Sequence, residues 1–197
     1  GYTFVHPFND ENVIAGQGTI GFELFDQLHD VDVVLVPIGG GGLISGVAFA
    51  IKSLMPRVKV YGVQAEGAPS MFNSIRDQKI ERLPKVHTLA DGIAVKEPGD
   101  LTFDLCSKYV DGIVTVSDDE ISAAILAMME QHKLIAEGAG AVSVAAAMFN
   151  KIPLEGKNVI CVVSGGNIDV NILNRVVTRG LSMGGRTCRF VFELDDK

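Results

Sequence analysis

Four consecutive glycines, Gly39 to Gly42, connect an apolar stretch that predicts a β-strand to another that predicts an α-helix. A turn without side chains exposes several backbone N–H groups at the positive end of the helix dipole, which is the environment that a phosphate group needs. Glycine also adopts the backbone angles of an anion-binding nest more readily than other residues do. We therefore interpret this first glycine turn as a phosphate site, against the alternative of a tight turn that only brings the strand and helix together.

The first glycine turn lacks the fingerprints of the common nucleotide sites. Ser45 stands where a dinucleotide fingerprint has its third glycine. A Walker loop has a lysine directly after its last glycine, whereas here Leu43 follows Gly42. A single phosphate ester, held by amides and the helix dipole, suits this turn better than a triphosphate. Glu66 ends the next predicted strand, where a dinucleotide fold places its ribose-binding acid, so a nicotinamide-binding domain stays open as an alternative.

A second glycine turn, Ser164 to Asn167, follows another predicted strand. In a parallel sheet both turns leave strands at the carboxyl edge, so one pocket could collect both. The first turn would then hold the phosphate of a flat ligand, and the Ser164 hydroxyl could hydrogen-bond a ring nitrogen. A hydroxyl does not hold a protonated pyridine as a carboxylate does, which favours a mild electron sink and β-elimination more than transamination.

Apolar periodicity predicts strands and helices that alternate along the chain. Asp10 is expected to cap the first helix, Ser117 and Glu120 to form a capping box, and Gly180 to end the last helix. This alternation predicts an α/β fold with a mostly parallel sheet and helices on both faces. The predicted strands are 32–38, 58–64, 112–116, 158–163 and 186–193, and the predicted helices are 11–28, 43–54, 71–77, 101–108, 118–132, 139–149 and 169–178.

Composition excludes several classes of protein. The chain has 197 residues, 47% of them hydrophobic, which suits one domain with a substantial core. A formal net charge of −7 argues against a nucleic-acid or anionic-membrane partner. Pro37 and the glycines interrupt the uncharged stretch 33–51, so we expect no membrane span. The three cysteines, Cys106, Cys161 and Cys188, are widely spaced, which predicts reduced thiols in a cytoplasmic protein.

Four motifs carry a resemblance to a known family. In chain order they are Ala15–Thr19 (AGQGT), Val36–Leu43 (VPIGGGGL), Thr88–Val95 (TLADGIAV) and Val163–Asn167 (VSGGN). Together they resemble the fold-type II pyridoxal-phosphate (PLP) enzymes, and within these the serine/threonine dehydratases, also called threonine ammonia-lyases, and the related serine racemases. The resemblance implies PLP as cofactor and a small amino acid as substrate. It also implies a lyase that removes water and then ammonia from L-threonine or L-serine to leave a 2-oxo acid.

The same resemblance assigns roles to individual residues. The backbone of the first glycine turn and of the residue after it would bind the cofactor phosphate. Ser164 would meet the pyridine nitrogen, Gly92 would lie along the ring, and Glu137 would sit near the pocket wall. The cofactor-binding residues implied in this way are Gly39, Gly40, Gly41, Gly42, Leu43, Gly92, Glu137 and Ser164.

Two motifs of the family do not occur in this chain. The lysine that holds the cofactor lies in a Ser-Phe-Lys-x-Arg-Gly stretch, and the substrate carboxylate loop reads Ser-x-Gly-Asn-His. Both belong to the family's N-terminal half, so we expect residues 1–185 to be the C-terminal half of the catalytic domain. Residues 186–197 resemble the strand that leads into a regulatory domain. The sequence therefore assigns no catalytic residue within the chain, and the isolated chain is expected to be inactive.

Metal binding and assembly complete the expectations. Serine racemases of the family pair a strand-end Glu with an acid six residues later; Glu66 matches the first, but Phe72 occupies the second position, so we predict no metal site.

A sheet without the strands of an N-terminal half would leave an exposed edge and an apolar patch, which favours a homo-oligomer. Serine racemase activity and a non-catalytic binding or assembly unit remain alternatives.

Overall fold

The computed structural model describes residues 2–188 and 190–193. Its centre is a four-stranded sheet in the order β3-β2-β1-β4, in which every described pair of neighbouring strands is parallel. This arrangement confirms the predicted α/β class. The strands are β1 (Val33–Pro37), β2 (Lys59–Ala65), β3 (Gly112–Val116) and β4 (Val159–Cys161).

Helices cover both faces of the sheet, as predicted. Side chains alternate along β1. Val34 and Val36 pack into the core beneath the helix that begins at Gly42, whereas Val33 and Leu35 pack into the core beneath the helices that begin at Asp118 and Gly138. Burial on both faces explains why β1 is continuously apolar. The helices are α1 (Glu11–Gln27), α2 (Gly42–Leu54), α3 (Ser70–Asp77), α4 (Asp100–Tyr109), α5 (Asp118–Ala127), α6 (Gly138–Met148) and α7 (Val170–Met183).

Helices α1 and α2 touch through their backbones, and this contact explains Gly18 of the AGQGT motif, where an added Cβ atom would lie 3.2 Å from the Gly46 carbonyl oxygen. A Cβ atom on Gly46 would overlap the carbonyl oxygen of Ile14 and lie 2.6 Å from the amide nitrogen of Gly18. A Cβ atom on Gly21 would lie 2.6 Å from that of Ala50. Glycine at these positions is therefore what allows α1 to lie against α2 and beside the first glycine turn.

The two N-terminal capping signals are confirmed. The Asp10 carboxylate accepts hydrogen bonds from the amides of Asn12 and Val13, which closes the first turn of α1. Ser117 and Glu120 form the reciprocal capping box of α5. Such signals depend only on neighbouring residues, and so they can be predicted from sequence.

Two expectations about individual elements are wrong, and a third holds only in part. Gly180 does not end the last helix, because α7 continues to Met183; instead Gly180 allows close packing on α5, where a Cβ atom would lie 2.9 Å from the Ser122 carbonyl oxygen. The predicted strand 186–193 is absent from its described residues, 186–188 and 190–193. The helix expected to reach 132 does so, but it is α-helical only to Ala127 and π-helical over Met128–His132.

The strand order defines where a ligand is expected. The chain passes from β1 through β2 to β3 in one direction, and β4 then pairs with β1 on the other side. A parallel sheet opens a crevice at such a switch point, outside the carboxyl ends of the two strands. None of the helices in the described part of the chain combines the length and apolar character that crossing a membrane requires.

Candidate functional site

The switch point brings the two glycine turns side by side. Leu35 of β1 pairs with Cys161 of β4, and the amide of Val162 donates to the Leu35 carbonyl at 3.0 Å. Ile38 and Ser164 each lie three residues beyond that pair, on chains that neighbouring strands hold about 4.8 Å apart. The turns that follow these strands therefore face the same crevice.

A cavity of about 630 Å³ occupies this crevice. Its volume is within the range of small-molecule and cofactor sites, which is on the order of 300–1,000 Å³. The structure brings together all eight residues that the sequence indicated for the cofactor. They line the cavity as Gly39, Gly40, Gly41, Gly42, Leu43, Gly92, Glu137 and Ser164.

The first glycine turn offers backbone donors that have no acceptor among the residues that the structure describes. Helix α2 begins at Gly42, and among the hydrogen bonds of the described residues the amides of 39–43 donate none. Gly40, Gly41 and Gly42 are nevertheless buried. Buried amides without partners cost free energy, so this turn is suited to an anion that would accept from them. A phosphate group fits that donor set, with the helix dipole in the favourable direction.

Glycine is required in this turn for space and for conformation. Gly41 has φ +101°, which is in the left-handed region that other residues resist. A Cβ atom on Gly40 would overlap the ring of Phe8, and one on Gly42 would lie 2.9 Å from the Phe8 Cα atom. Phe8 thus closes one side of the turn, whose four glycines line the cavity.

The loop that carries Gly92 forms a second wall. Gly92 lies in a 3₁₀ turn over Asp91–Ile93, and a Cβ atom on Gly39 would lie 3.5 Å from the Gly92 carbonyl oxygen. The start of this loop is held by Asp118, whose carboxylate accepts from the Thr88 hydroxyl at 2.5 Å and from the Leu89 amide at 3.2 Å. The TLADGIAV motif is therefore fastened to the first residue of α5.

Glu137 connects α6 to the second glycine turn. It is the N-cap residue of α6, its amide donates to the Gly165 carbonyl at 3.1 Å, and its carboxylate lies against Gly165. Burial raises the pKa of the Glu137 carboxyl, and the negative charge of Asp91 raises it further. Glu137 therefore forms the wall that holds the turn containing Ser164.

Sequence reasoning missed several lining residues. The cavity is also bounded by residues from the segment before α1, from α1 itself, and from the loop after Gly92. Gln17 lies in the AGQGT motif, but the sequence assigned it no role; contacts that join distant segments leave no local signal. The missed residues include Pro7, Phe8, Gln17, Ile93, Val95 and Ala139.

Glu66 has a different position from that required by the nicotinamide alternative. Its side chain is exposed, and it is not among the residues that line the cavity. The residue on which that alternative depended therefore does not contribute to the site. Across the described residues, histidine, cysteine, aspartate and glutamate side chains form no group of three or more that could hold a metal ion.

Among curated proteins, the chain is similar in sequence to two that carry the name L-threonine ammonia-lyase. It is 60% identical over 186 residues to the L-threonine ammonia-lyase of Thermotoga maritima, covering 94% of this chain and 46% of that protein. It is 51% identical over 197 residues to the L-threonine ammonia-lyase of Geobacter sulfurreducens, covering 100% of this chain and 49% of that protein. The chain thus spans about half the length of these relatives.

Solved structures share the fold. The processed form of threonine deaminase isoform 2 from Solanum lycopersicum matches with a TM-score of 0.86 and 42% identity, over 91% of this chain and 53% of that one. Maize serine racemase matches with a TM-score of 0.81 and 35% identity, over 92% of this chain and 56% of that one. The family model described as pyridoxal-phosphate dependent enzyme matches residues 1–165. This chain belongs to the pyridoxal-phosphate-dependent enzyme family.

Proposed function

We propose that this chain is the cofactor-holding part of a PLP-dependent serine/threonine ammonia-lyase. The reaction removes water and then ammonia from L-threonine or L-serine and leaves a 2-oxo acid. Two relatives with 60% and 51% identity carry the name L-threonine ammonia-lyase, which supports this choice of reaction. The observation that carries the proposal is that the unpaired amides of the first glycine turn line the same cavity as Ser164.

The residues of the chain then have distinct tasks. The amides of Gly39 to Leu43 bind the cofactor phosphate at the positive end of α2. The Ser164 hydroxyl hydrogen-bonds the ring nitrogen from the second glycine turn. Gly92 lies along the ring, where the absence of a side chain leaves room for it. Glu137 holds the second turn in place through its contacts with Gly165.

A hydroxyl, that of Ser164, at the ring nitrogen is consistent with an elimination reaction. When bound, PLP supplies an electron-withdrawing ring that stabilises negative charge at the α-carbon of an amino acid. The Ser164 hydroxyl is neutral, so it can hydrogen-bond the ring nitrogen but carries no negative charge that would keep this nitrogen protonated. The site therefore moderates the electron demand of the ring, which favours loss of the β-substituent over transamination.

The chain supplies no lysine to the described site. None of the residues that line the cavity is a lysine, and the Ser-Phe-Lys-x-Arg-Gly motif does not occur in the sequence. We propose that polypeptide outside these 197 residues provides the lysine that attaches the cofactor and takes the α-proton. The isolated chain should then bind PLP without a covalent bond and show no turnover.

We also propose a cytoplasmic homo-oligomer. Three cysteines without a disulfide among the described residues suit a reducing compartment. Exposed aromatic residues on α1 and α2 support association, since Phe22, Phe25 and Phe49 are 56%, 42% and 50% exposed. Sedimentation of the full-length protein as a monomer would contradict the oligomer.

Product analysis of the full-length protein tests the reaction. Incubation with L-threonine or L-serine should release ammonia and a 2-oxo acid in equal amounts, with PLP absorbance in the purified protein. Formation of D-serine without ammonia would instead establish a racemase. Failure of the protein to bind PLP, with an intact fold by circular dichroism, would overturn the proposal in both forms.

Substitution in the first glycine turn tests the site. Gly41→Ala adds a side chain where φ is +101° and where a Cβ atom would lie 2.7 Å from the Met71 Cε atom. We expect weaker PLP binding from this variant, whereas Gly16→Ala, on an exposed part of α1 with nothing within 4 Å, should bind PLP as wild type does. Equal PLP affinity of both variants would exclude the turn as the phosphate site.

A further inference from the structure

Thr102 of α4 contacts the first glycine turn. It is the third residue of α4, fully buried, and it does not line the cavity. Its hydroxyl donates to the Gly40 carbonyl oxygen at 2.6 Å and lies 3.1 Å from the Gly99 carbonyl oxygen. Because the hydroxyl has one proton, the shorter contact with Gly40 is the stronger hydrogen bond.

This hydrogen bond sets the direction of an amide in the turn. A peptide group is planar and trans, so the carbonyl of Gly40 and the N–H of Gly41 point in opposite directions. Attraction of the Gly40 oxygen toward Thr102 therefore directs the Gly41 N–H away from α4. That N–H has no acceptor among the described residues, and Gly41 lines the cavity.

Ser45 anchors the next peptide group in the same manner. Its amide donates to the Gly41 carbonyl at 3.0 Å, which directs the Gly42 N–H away from the body of α2. Its hydroxyl donates to the Thr102 carbonyl at 3.4 Å, so the two anchors are joined. Without Thr102, the Gly40–Gly41 peptide would lose the contact that opposes its rotation, since glycine permits both orientations at little cost.

We propose that Thr102 is a positioning residue for the phosphate group of the cofactor. Its hydroxyl orients the Gly40–Gly41 peptide so that the Gly41 amide donates to the phosphate. Thr102 does not touch the cofactor, and it acts only through the peptide that it holds. This inference rests on the proposed function, because it requires PLP phosphate in the first glycine turn.

Removal of the hydroxyl tests the role in the full-length protein. Thr102→Ala should raise the Kd for PLP by roughly 10- to 100-fold, which corresponds to the loss of one hydrogen bond to a charged group. Thr102→Ser keeps the hydroxyl and should restore wild-type affinity. Ser122→Ala, which removes a buried hydroxyl that donates to a carbonyl within α5, is the matched control and should leave the Kd unchanged.

Pyridoxal without its phosphate separates positioning from general damage to the site. Affinity for pyridoxal should be equal in wild type and Thr102→Ala, because the missing amide contact concerns only the phosphate. The ³¹P chemical shift of the bound cofactor should move in Thr102→Ala and return in Thr102→Ser. If Thr102→Ala does not fold, Thr102→Val supplies the second variant without a hydroxyl, judged by the same two ligands.

The outcomes distinguish this inference from the function on which it rests. Wild-type protein that binds PLP no better than pyridoxal would overturn the proposed phosphate site itself. Wild-type protein that prefers PLP, together with Thr102→Ala that keeps both the preference and the ³¹P shift, would overturn the role of Thr102 alone. Equal loss of affinity for PLP and pyridoxal would assign Thr102 a structural role only.

Discussion

Substitution of Gly46 by alanine tests whether the backbone contact between α1 and α2 supports the fold. In the structure a Cβ atom at position 46 would overlap the Ile14 carbonyl oxygen and lie 2.6 Å from the Gly18 amide nitrogen. Real Cβ atoms essentially never approach closer than 3.0 Å, so the helices must separate by 0.4 Å to clear the Gly18 nitrogen and by more to clear the Ile14 oxygen. Both neighbouring atoms belong to the backbone and cannot rotate away.

The expected cost follows from overpacking less the gain in helix propensity. Overpacking of a core costs about 1–3 kcal/mol, and a backbone-to-backbone contact belongs at the upper end. Alanine in place of glycine within a helix recovers about 1 kcal/mol. We therefore expect Gly46→Ala to lower the free energy of unfolding by about 2 kcal/mol. For a chain of this size the melting temperature should fall by about 4–8 °C.

Gly16→Ala is the matched control, because it makes the same chemical change in the helix that packs against α2. Position 16 is exposed and has no atom within 4 Å of an added Cβ, so only the helix-propensity gain remains. Urea unfolding followed by circular dichroism should show stabilisation by about 0.5–1 kcal/mol for Gly16→Ala. If Gly46→Ala is as stable as wild type, or if Gly16→Ala is less stable than wild type, the close backbone contact between α1 and α2 does not require glycine as inferred.

Two further predictions concern a helix cap and a partly buried ion pair. Asp10→Ala removes the acceptor for two amides at the start of α1 and should cost about 1 kcal/mol in urea unfolding, whereas Asp10→Asn should restore most of it. Burial alone would raise the pKa of Asp111, but hydrogen bonds from Lys52, at 2.5 Å, and from the Val60 amide hold it below its usual 3.8. The stability from the ionised carboxylate is therefore present above that pH and lost as the pH falls through the lower folded value. Asp111→Asn should cost about 2 kcal/mol at pH 7 by chemical denaturation, with a difference from wild type that shrinks below pH 4; a pH-independent difference would count against the ion pair.

Much of the fold was predictable from local patterns. The apolar run of β1 and the capping residues Asp10 and Ser117 depend on the chain within a few positions, so the four strands of the sheet, the helices and the parallel arrangement followed from sequence. The strand expected at 186–193 is absent from its described residues. The ends of elements were less predictable. Glycine is common just after the end of a helix, which is why Gly180 was expected to end α7. Packing of Gly180 against Ser122 of α5 instead allows the helix to continue.

The candidate site divides in the same way. The amino-acid sequence by itself determined that Gly39–Gly42 would present bare amides at a helix start and that Ser164 would follow a second strand, because both are properties of consecutive residues. Only the tertiary structure decided that β4 pairs with β1, which brings those turns to one cavity, and that Phe8 and Thr102 enclose the first turn. Those contacts join segments tens of residues apart, and their formation depends on how the whole core packs, which no local pattern of residues encodes.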